Sequence, residues 1–133
     1  MLKKSIAILA VVLGVGISFP AIAGAFSFTF EWGGIPGCND GHTFAGRSPV
    51  FTFSNVPEGT KQINLAMKDL DVNYDHKGGV VKYTGENIIS FGAFEYLIPC
   101  PPGDSHMYEW TAYAENANGG ILATARSKRK YPK

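Results

Sequence analysis

The sequence predicts an all-β protein, an antiparallel β-sandwich with few or no helices, and three observations favour this fold class. Short runs alternate apolar and polar residues, as strands with one buried face do. Clusters of Gly, Pro and Asn separate these runs at short intervals, which is typical of a sandwich built from hairpins. No segment sustains the period of a helix. Because the chain shows no internal repeat and no linker, we expect one domain over residues 24–133.

The alternation places the strands one after another along the chain. Aromatic residues occupy one face of residues 26–32, and Ile63, Leu65 and Met67 share one face of residues 62–68. The last run, Ile121 to Ala125, fits either a strand or one helical turn, and we favour the strand. The predicted strands are residues 26–32, 50–53, 62–68, 80–83, 108–114 and 121–125.

The first 23 residues have the organisation of a secretory signal peptide. Lys3 and Lys4 precede an apolar stretch over residues 6–17, and a small-residue cleavage pattern ends at Ala23. A second pattern allows cleavage after Ala25. The alternative is an uncleaved anchor, although the apolar stretch is short for a membrane span. We expect an exported protein, periplasmic or secreted, without a transmembrane segment after cleavage.

Charge is unevenly distributed along the chain, which carries 12 basic and 11 acidic residues. Residues 24–125 hold five basic and eleven acidic residues, whereas residues 126–133 hold five basic ones. An acidic body lacks the basic face of most nucleic-acid-binding proteins, so we expect no nucleic-acid partner. We interpret the basic C-terminal tail as a solvated terminus; the alternative is a contact with anionic lipid or an acidic partner.

The two cysteines, Cys38 and Cys100, predict one disulfide, because exported chains meet an oxidising environment. The bond closes a loop of roughly 60 residues, for which the chain-entropy model gives about 4 kcal/mol of stabilisation. The alternative is a reactive thiol.

A stiff, proline-rich loop over residues 98–105 leads directly into a predicted strand. Its prolines fix φ and remove backbone donors. His106 and Tyr108 follow it two residues apart, a spacing that puts both side chains on one face of a strand. An imidazole and a phenol offer donors suited to a small anion such as phosphate. The alternative is a histidine that only stabilises its loop.

Asp69 and Asp71 follow the third predicted strand with the same two-residue spacing. Such a pair can bind a cation, share a proton or accept hydrogen bonds from loop amides, and the spacing alone favours the last role. His42, His76 and His106 lack the spacing of a zinc site, so we expect no metal and no cofactor. A composite metal site drawn from separate loops is the alternative. Since no nucleophile elbow or phosphate loop is present, we do not expect an enzyme.

Three motifs resemble those of the bacterial phosphatidylethanolamine-binding proteins, also called Raf-kinase-inhibitor-like proteins. SPVFTFSNVPEGTK resembles the family's Ser-Pro…Val-Pro-x-Gly-Thr-Lys segment, and DLDVN resembles its Asp-Pro-Asp-x-Pro motif. PCPPGD with His106-x-Tyr108 resembles its Pro-Cys-Pro-Pro…His-x-Tyr motif. The three segments occur in the family's order, and the resemblance extends from about Cys38 to Ala114.

The resemblance implies a sandwich of the phosphatidylethanolamine-binding-protein type, with a small anion pocket at one end that takes phosphate-like headgroups. By position it implies the ligand-binding residues Asp69, Pro101, His106 and Tyr108, with Asp71 bracing the loop and Cys100 on the rim. The family's His-Trp pair is absent, and Gly78 and Gly79 stand in its place. We therefore expect a pocket that lacks one histidine and one aromatic wall, unless His76 enters it.

These observations lead to two hypotheses of different class. The first is an exported, non-catalytic module that binds a small anionic ligand or a phospholipid headgroup. The second is a protein-interaction or inhibitor domain, with a protein target, whose ligand pocket has decayed.

Overall fold

A computed structural model describes residues 11, 13–19 and 24–132 of the chain, and in this part all regular structure is β. The prediction of an all-β protein is therefore confirmed. The strands are β1 (Ser27–Glu31), β2 (Ala45–Arg47), β3 (Val50–Ser54), β4 (Gln62–Asp69), β5 (Tyr74–Lys82), β6 (Ile88–Ile89), β7 (Glu95–Leu97), β8 (His106–Glu115) and β9 (Ile121–Tyr131).

The strands pair in three antiparallel sheets. The largest has the order β5-β4-β8-β9, a second has the order β1-β3-β6, and β2 pairs with β7. The four-stranded and three-stranded sheets pack face to face, and the core lies between them. Trp110 of β8 is fully buried there, with its ring centroid 5.1 Å from that of Phe51 on the opposite sheet. The alternation predicted in β1 and β4 is confirmed. Phe28 and Phe30 of β1 are buried, and so are the three alternating residues of β4, Ile63, Leu65 and Met67.

Strand β5 begins six residues before the predicted start at Val80. Gly78 and Gly79 precede the predicted strand, but both lie within β5. A Cβ on Gly78 would come 1.8 Å from the carbonyl oxygen of Leu65 on β4. Glycine is therefore needed because the two backbones approach closely beside a bulge between Ala66 and Lys68.

The basic tail is not the solvated terminus that the sequence suggested, because β9 continues to Tyr131 along β8. Side chains at the end of β1 and directly after it hold the C-terminal part of β9. Trp32 donates from Nε1 to the carbonyl of Lys130 at 3.1 Å, and Arg129 contacts the Glu31 carboxylate at 2.7 Å. The side chains of Arg126, Lys128 and Lys130 remain exposed on this edge strand, where lysines discourage pairing with other chains.

The predicted signal peptide lies largely outside the described residues, as does its first cleavage position, Ala23. It stays a prediction. In the part of the chain that the structure describes, no helix has the length and apolar character needed to cross a membrane.

Candidate functional site

A cavity of about 180 Å³ opens at one end of the four-stranded sheet. Strand register creates it, because Asp69 at the end of β4 pairs with Tyr74 on β5 and with Tyr108 on β8. The two-residue repeat then brings His76 and His106 to the same end. The cavity is lined by Gly41, Thr43, Asp69, Val72, Tyr74, His76, Cys100, Pro102, His106 and Tyr108.

Asp69 is buried, with 3% of its surface exposed, and both of its carboxylate oxygens accept hydrogen bonds. Oδ1 accepts from the backbone N–H groups of Asp71 and Val72, at 2.8 and 3.3 Å. Oδ2 lies 2.6 Å from Nδ1 of His106. The turn-capping role favoured by the spacing is therefore present, and the same carboxylate also belongs to the cavity.

Asp71 braces the cavity from outside. Its Oδ2 accepts the backbone N–H of Met107 at 2.6 Å, and the neighbouring Leu70 N–H donates to the Met107 carbonyl at 2.9 Å. Together these bonds fasten the turn after β4 to the start of β8, which carries His106 and Tyr108.

His106 is mostly buried, with 15% of its side chain exposed. A carboxylate can only accept, so the contact with Asp69 places a proton on Nδ1. Nε2 is then the nitrogen left to meet a ligand.

The Tyr108 hydroxyl is buried and makes no hydrogen bond of good geometry with the described residues, although the Asp69 carboxylate and the Cys100 backbone lie close to it. Burial raises the pKa of Tyr108, and the nearby charge of Asp69 raises it further, so the phenol stays protonated. The O–H of Tyr96 and the N–H of Trp110 are also unpartnered, but these residues belong to the core and do not line the cavity. An unpaired buried hydroxyl is costly, which favours a ligand contact at Tyr108.

His76 and Tyr74 both line the cavity. The Nδ1 of His76 lies 2.6 Å from the Leu97 carbonyl, and its ring meets those of Tyr74 and Tyr108 edge-on, at 4.9 and 5.3 Å between centroids. Burial lowers the pKa of His76, against the opposing effects of nearby carbonyls and of Asp69. Sequence reasoning missed Tyr74, although Tyr74-x-His76 has the same spacing as His106-x-Tyr108.

The proline loop contributes a different proline from the one predicted. Pro101 is fully buried and does not line the cavity, whereas Pro102 does. The reason is alternation in the loop, which turns one proline inward and the next toward Gly41. A role of Pro101 in ligand binding stays a prediction, and Pro102 is the proline that reaches the cavity.

The predicted disulfide between Cys38 and Cys100 is present, with 4.5 Å between the two Cα atoms. It joins the loop around Gly41 to the proline loop, and the Gly41 N–H donates to the Cys100 carbonyl at 3.1 Å. Thr43 adds a hydrogen bond from its hydroxyl to the Ile98 carbonyl. Two loops that border the cavity are thus fastened to each other.

His42 lies outside the cavity, and 89% of its side chain is exposed. Asp69, Asp71 and His106 offer ligand atoms within 4.8 Å of one another, as a metal site would. The same groups make the hydrogen bonds described above, and these bonds position His106.

Comparison with known proteins identifies the fold. No family model and no curated protein matches the sequence. The chain is similar to the crystal structure of CT736 of Chlamydia trachomatis, described as a phosphatidylethanolamine-binding protein homolog, with 22% identity, a TM-score of 0.56, and coverage of 82% of this chain and 98% of that one. It is also similar to E. coli YbcL, described as a new member of the mammalian family, with 20% identity, a TM-score of 0.56, and coverage of 81% and 98%. The chain has the phosphatidylethanolamine-binding-protein fold, as predicted.

Proposed function

We propose that this protein is a non-catalytic binding module whose cavity holds a small anionic, phosphate-like group, either free or as the headgroup of a phospholipid. The observation that carries the proposal is the convergence of a buried, unpartnered phenol at Tyr108 with an imidazole at His106 that is oriented by a carboxylate. Both residues line the same small space.

The chemistry of anion binding follows from the Asp69–His106 pair. Asp69 accepts from Nδ1, so neutral His106 carries a lone pair at Nε2. It donates to an anion there as the imidazolium, which then has a partner at each nitrogen. The Tyr108 hydroxyl then donates in a site largely removed from water, where hydrogen bonds are stronger. The cavity is smaller than the ~300–1,000 Å³ of drug-sized sites, which suits a headgroup.

A binding role is favoured over covalent chemistry because the nucleophile candidates at the cavity are engaged. The Thr43 hydroxyl donates to a backbone carbonyl, and the sulfur of Cys100 is in the disulfide. The cavity is lined by the aromatic and polar side chains of Tyr74 and His76, which likewise favours a ligand site over a decayed pocket in a protein-interaction domain.

We also propose that residues 1–23 direct export and that residues 24–133 form the mature domain, periplasmic or secreted. The disulfide supports this location, since such bonds persist in oxidising compartments. N-terminal sequencing of the protein recovered from the cell envelope or medium tests it. A first residue of Gly24 or Phe26 is expected, and an intact N-terminus would contradict it.

Calorimetric titration with inorganic phosphate and phosphoethanolamine tests the binding proposal. His106→Ala and Tyr108→Phe should each weaken binding by roughly 5- to 150-fold, since each removes one donor whose hydrogen bond is worth about 1–3 kcal/mol. The matched control is His42→Ala, which removes an exposed histidine outside the cavity. No heat of binding at millimolar ligand in the unmodified protein would refute the proposal.

A further inference from the structure

The cavity offers an anion little permanent positive charge. Its lining contains the Asp69 carboxylate, two histidines and two tyrosines, and neither lysine nor arginine is among the described residues that line it. A site of this kind must distinguish anions by hydrogen bonds more than by net charge. The arrangement of its donors and acceptors therefore sets which anions fit.

His76 contributes an acceptor to this arrangement. Its Nδ1 faces the Leu97 carbonyl at 2.6 Å, and a carbonyl can only accept, so the proton of the neutral ring resides on Nδ1. Nε2 then carries a lone pair, and the backbone of Ile98 is a second polar group near this ring. The edge-on contacts with Tyr74 and Tyr108 hold the ring in this orientation.

The neutral state of His76 follows from its surroundings. Only 3% of its surface is exposed, and burial lowers its pKa. The charged groups that oppose this effect are Asp69 and Asp75, and Asp69 is already paired with His106. At neutral pH the cavity thus combines a donor at Tyr108 with an acceptor at His76.

Resting on the proposed function, we propose that His76 makes the cavity select oxyanions that carry a proton of their own, such as hydrogen phosphate, over those that carry none, such as sulfate. The hydroxyl of hydrogen phosphate donates to Nε2 of His76, while its other oxygens accept from Tyr108 and His106. Sulfate has the same tetrahedral shape, but it would set an oxygen lone pair against that of Nε2. Sites built to pair with a hydroxyl reject analogues that lack it.

The test compares anions on the unmodified protein by calorimetry at pH about 7 and constant ionic strength. Inorganic phosphate and arsenate, which both carry a hydroxyl at this pH, should bind at least tenfold more tightly than sulfate. Dimethyl phosphate, which models the diester of a phospholipid and has no P–OH, should bind as weakly as sulfate. This last arm separates a free phosphate from a lipid headgroup as the source of the ligand.

The variant His76→Phe keeps the edge-on ring contacts and removes the acceptor, so it should reduce the preference for phosphate over sulfate to less than threefold. Equal affinity of the unmodified protein for phosphate and sulfate would overturn the selection by His76 and leave the proposed anion site standing. Failure of all four anions to bind would refute the anion site itself. The comparison on the unmodified protein decides the matter even when the variant does not fold.

Discussion

Removing the disulfide with the double variant Cys38→Ala/Cys100→Ala tests how far the cavity depends on its covalent tie. The two cysteines are 62 residues apart in sequence. For a loop of this size the chain-entropy model gives about 4 kcal/mol of lost stability, a large part of the ~5–15 kcal/mol available to a small domain. With about 4–8 °C per kcal/mol for a domain of about 100 residues, the unfolding midpoint should fall by roughly 16–32 °C.

The same variant should also weaken binding of inorganic phosphate, because Gly41 and Cys100 line the cavity on the two loops that the bond joins. Thermal unfolding followed by circular dichroism measures the first effect, and calorimetry at a temperature where the variant is folded measures the second. The unmodified protein with and without reductant is the control, since reduction should reproduce the loss. A midpoint within 3 °C of the unmodified protein would show that the disulfide does not constrain this fold as argued.

Three further predictions concern the bracing, the titration and the tail. Asp71→Ala removes the acceptor for the Met107 N–H, so it should lower the free energy of unfolding in urea by about 1 kcal/mol and weaken phosphate binding. The control Asp104→Ala, which removes an exposed loop carboxylate, should do neither. Equal effects of the two variants would contradict the bracing role. Burial lowers the pKa of His76 below the ordinary 6.5, so on acidification this histidine is protonated in the unfolded chain before it is protonated in the folded one. The stability that comes from neutral His76 is therefore complete above about pH 6.5 and declines as the pH falls. His76→Phe should therefore flatten the loss of stability between about pH 7 and 5, and an unchanged slope would contradict this origin. Deleting residues 128–133 removes the partners of Trp32 on β9 and should cost about 2 kcal/mol, whereas an unchanged unfolding midpoint would mean that the tail is a solvated terminus after all.

The strands that alternate cleanly were predictable because burial on one face leaves a period of two in the sequence. Ile63, Leu65 and Met67 of β4 show this, and all three are buried. The first half of β5 was not predictable in this way, because Gly78 gives no side-chain pattern and its role depends on the approach of the β4 backbone. The second half of β9 was not predictable for a related reason. Its outward face is basic, and the partners of its inward face lie far away in the sequence.

The site was predictable where one short motif sets the geometry. His106 and Tyr108 share a face because of their spacing, and Asp69 came from a resemblance between motifs. The contributions of Tyr74 and Pro102 depend on strand register and on which way the loop turns, neither of which a local pattern specifies. A search of the sequence for an aromatic residue and a histidine two positions apart would have found Tyr74 and His76.

The central claim is that the cavity between β4, β5 and β8 binds a phosphate group, and the three histidines of the chain provide the most direct test. The measurement is NMR of the mature protein with isotope-labelled imidazoles, titrated with inorganic phosphate. The ring signals of His106 and His76 should shift and saturate together, while the signal of the exposed His42 stays in place. Shifts of equal size at all three histidines, or none at His106, would contradict the account.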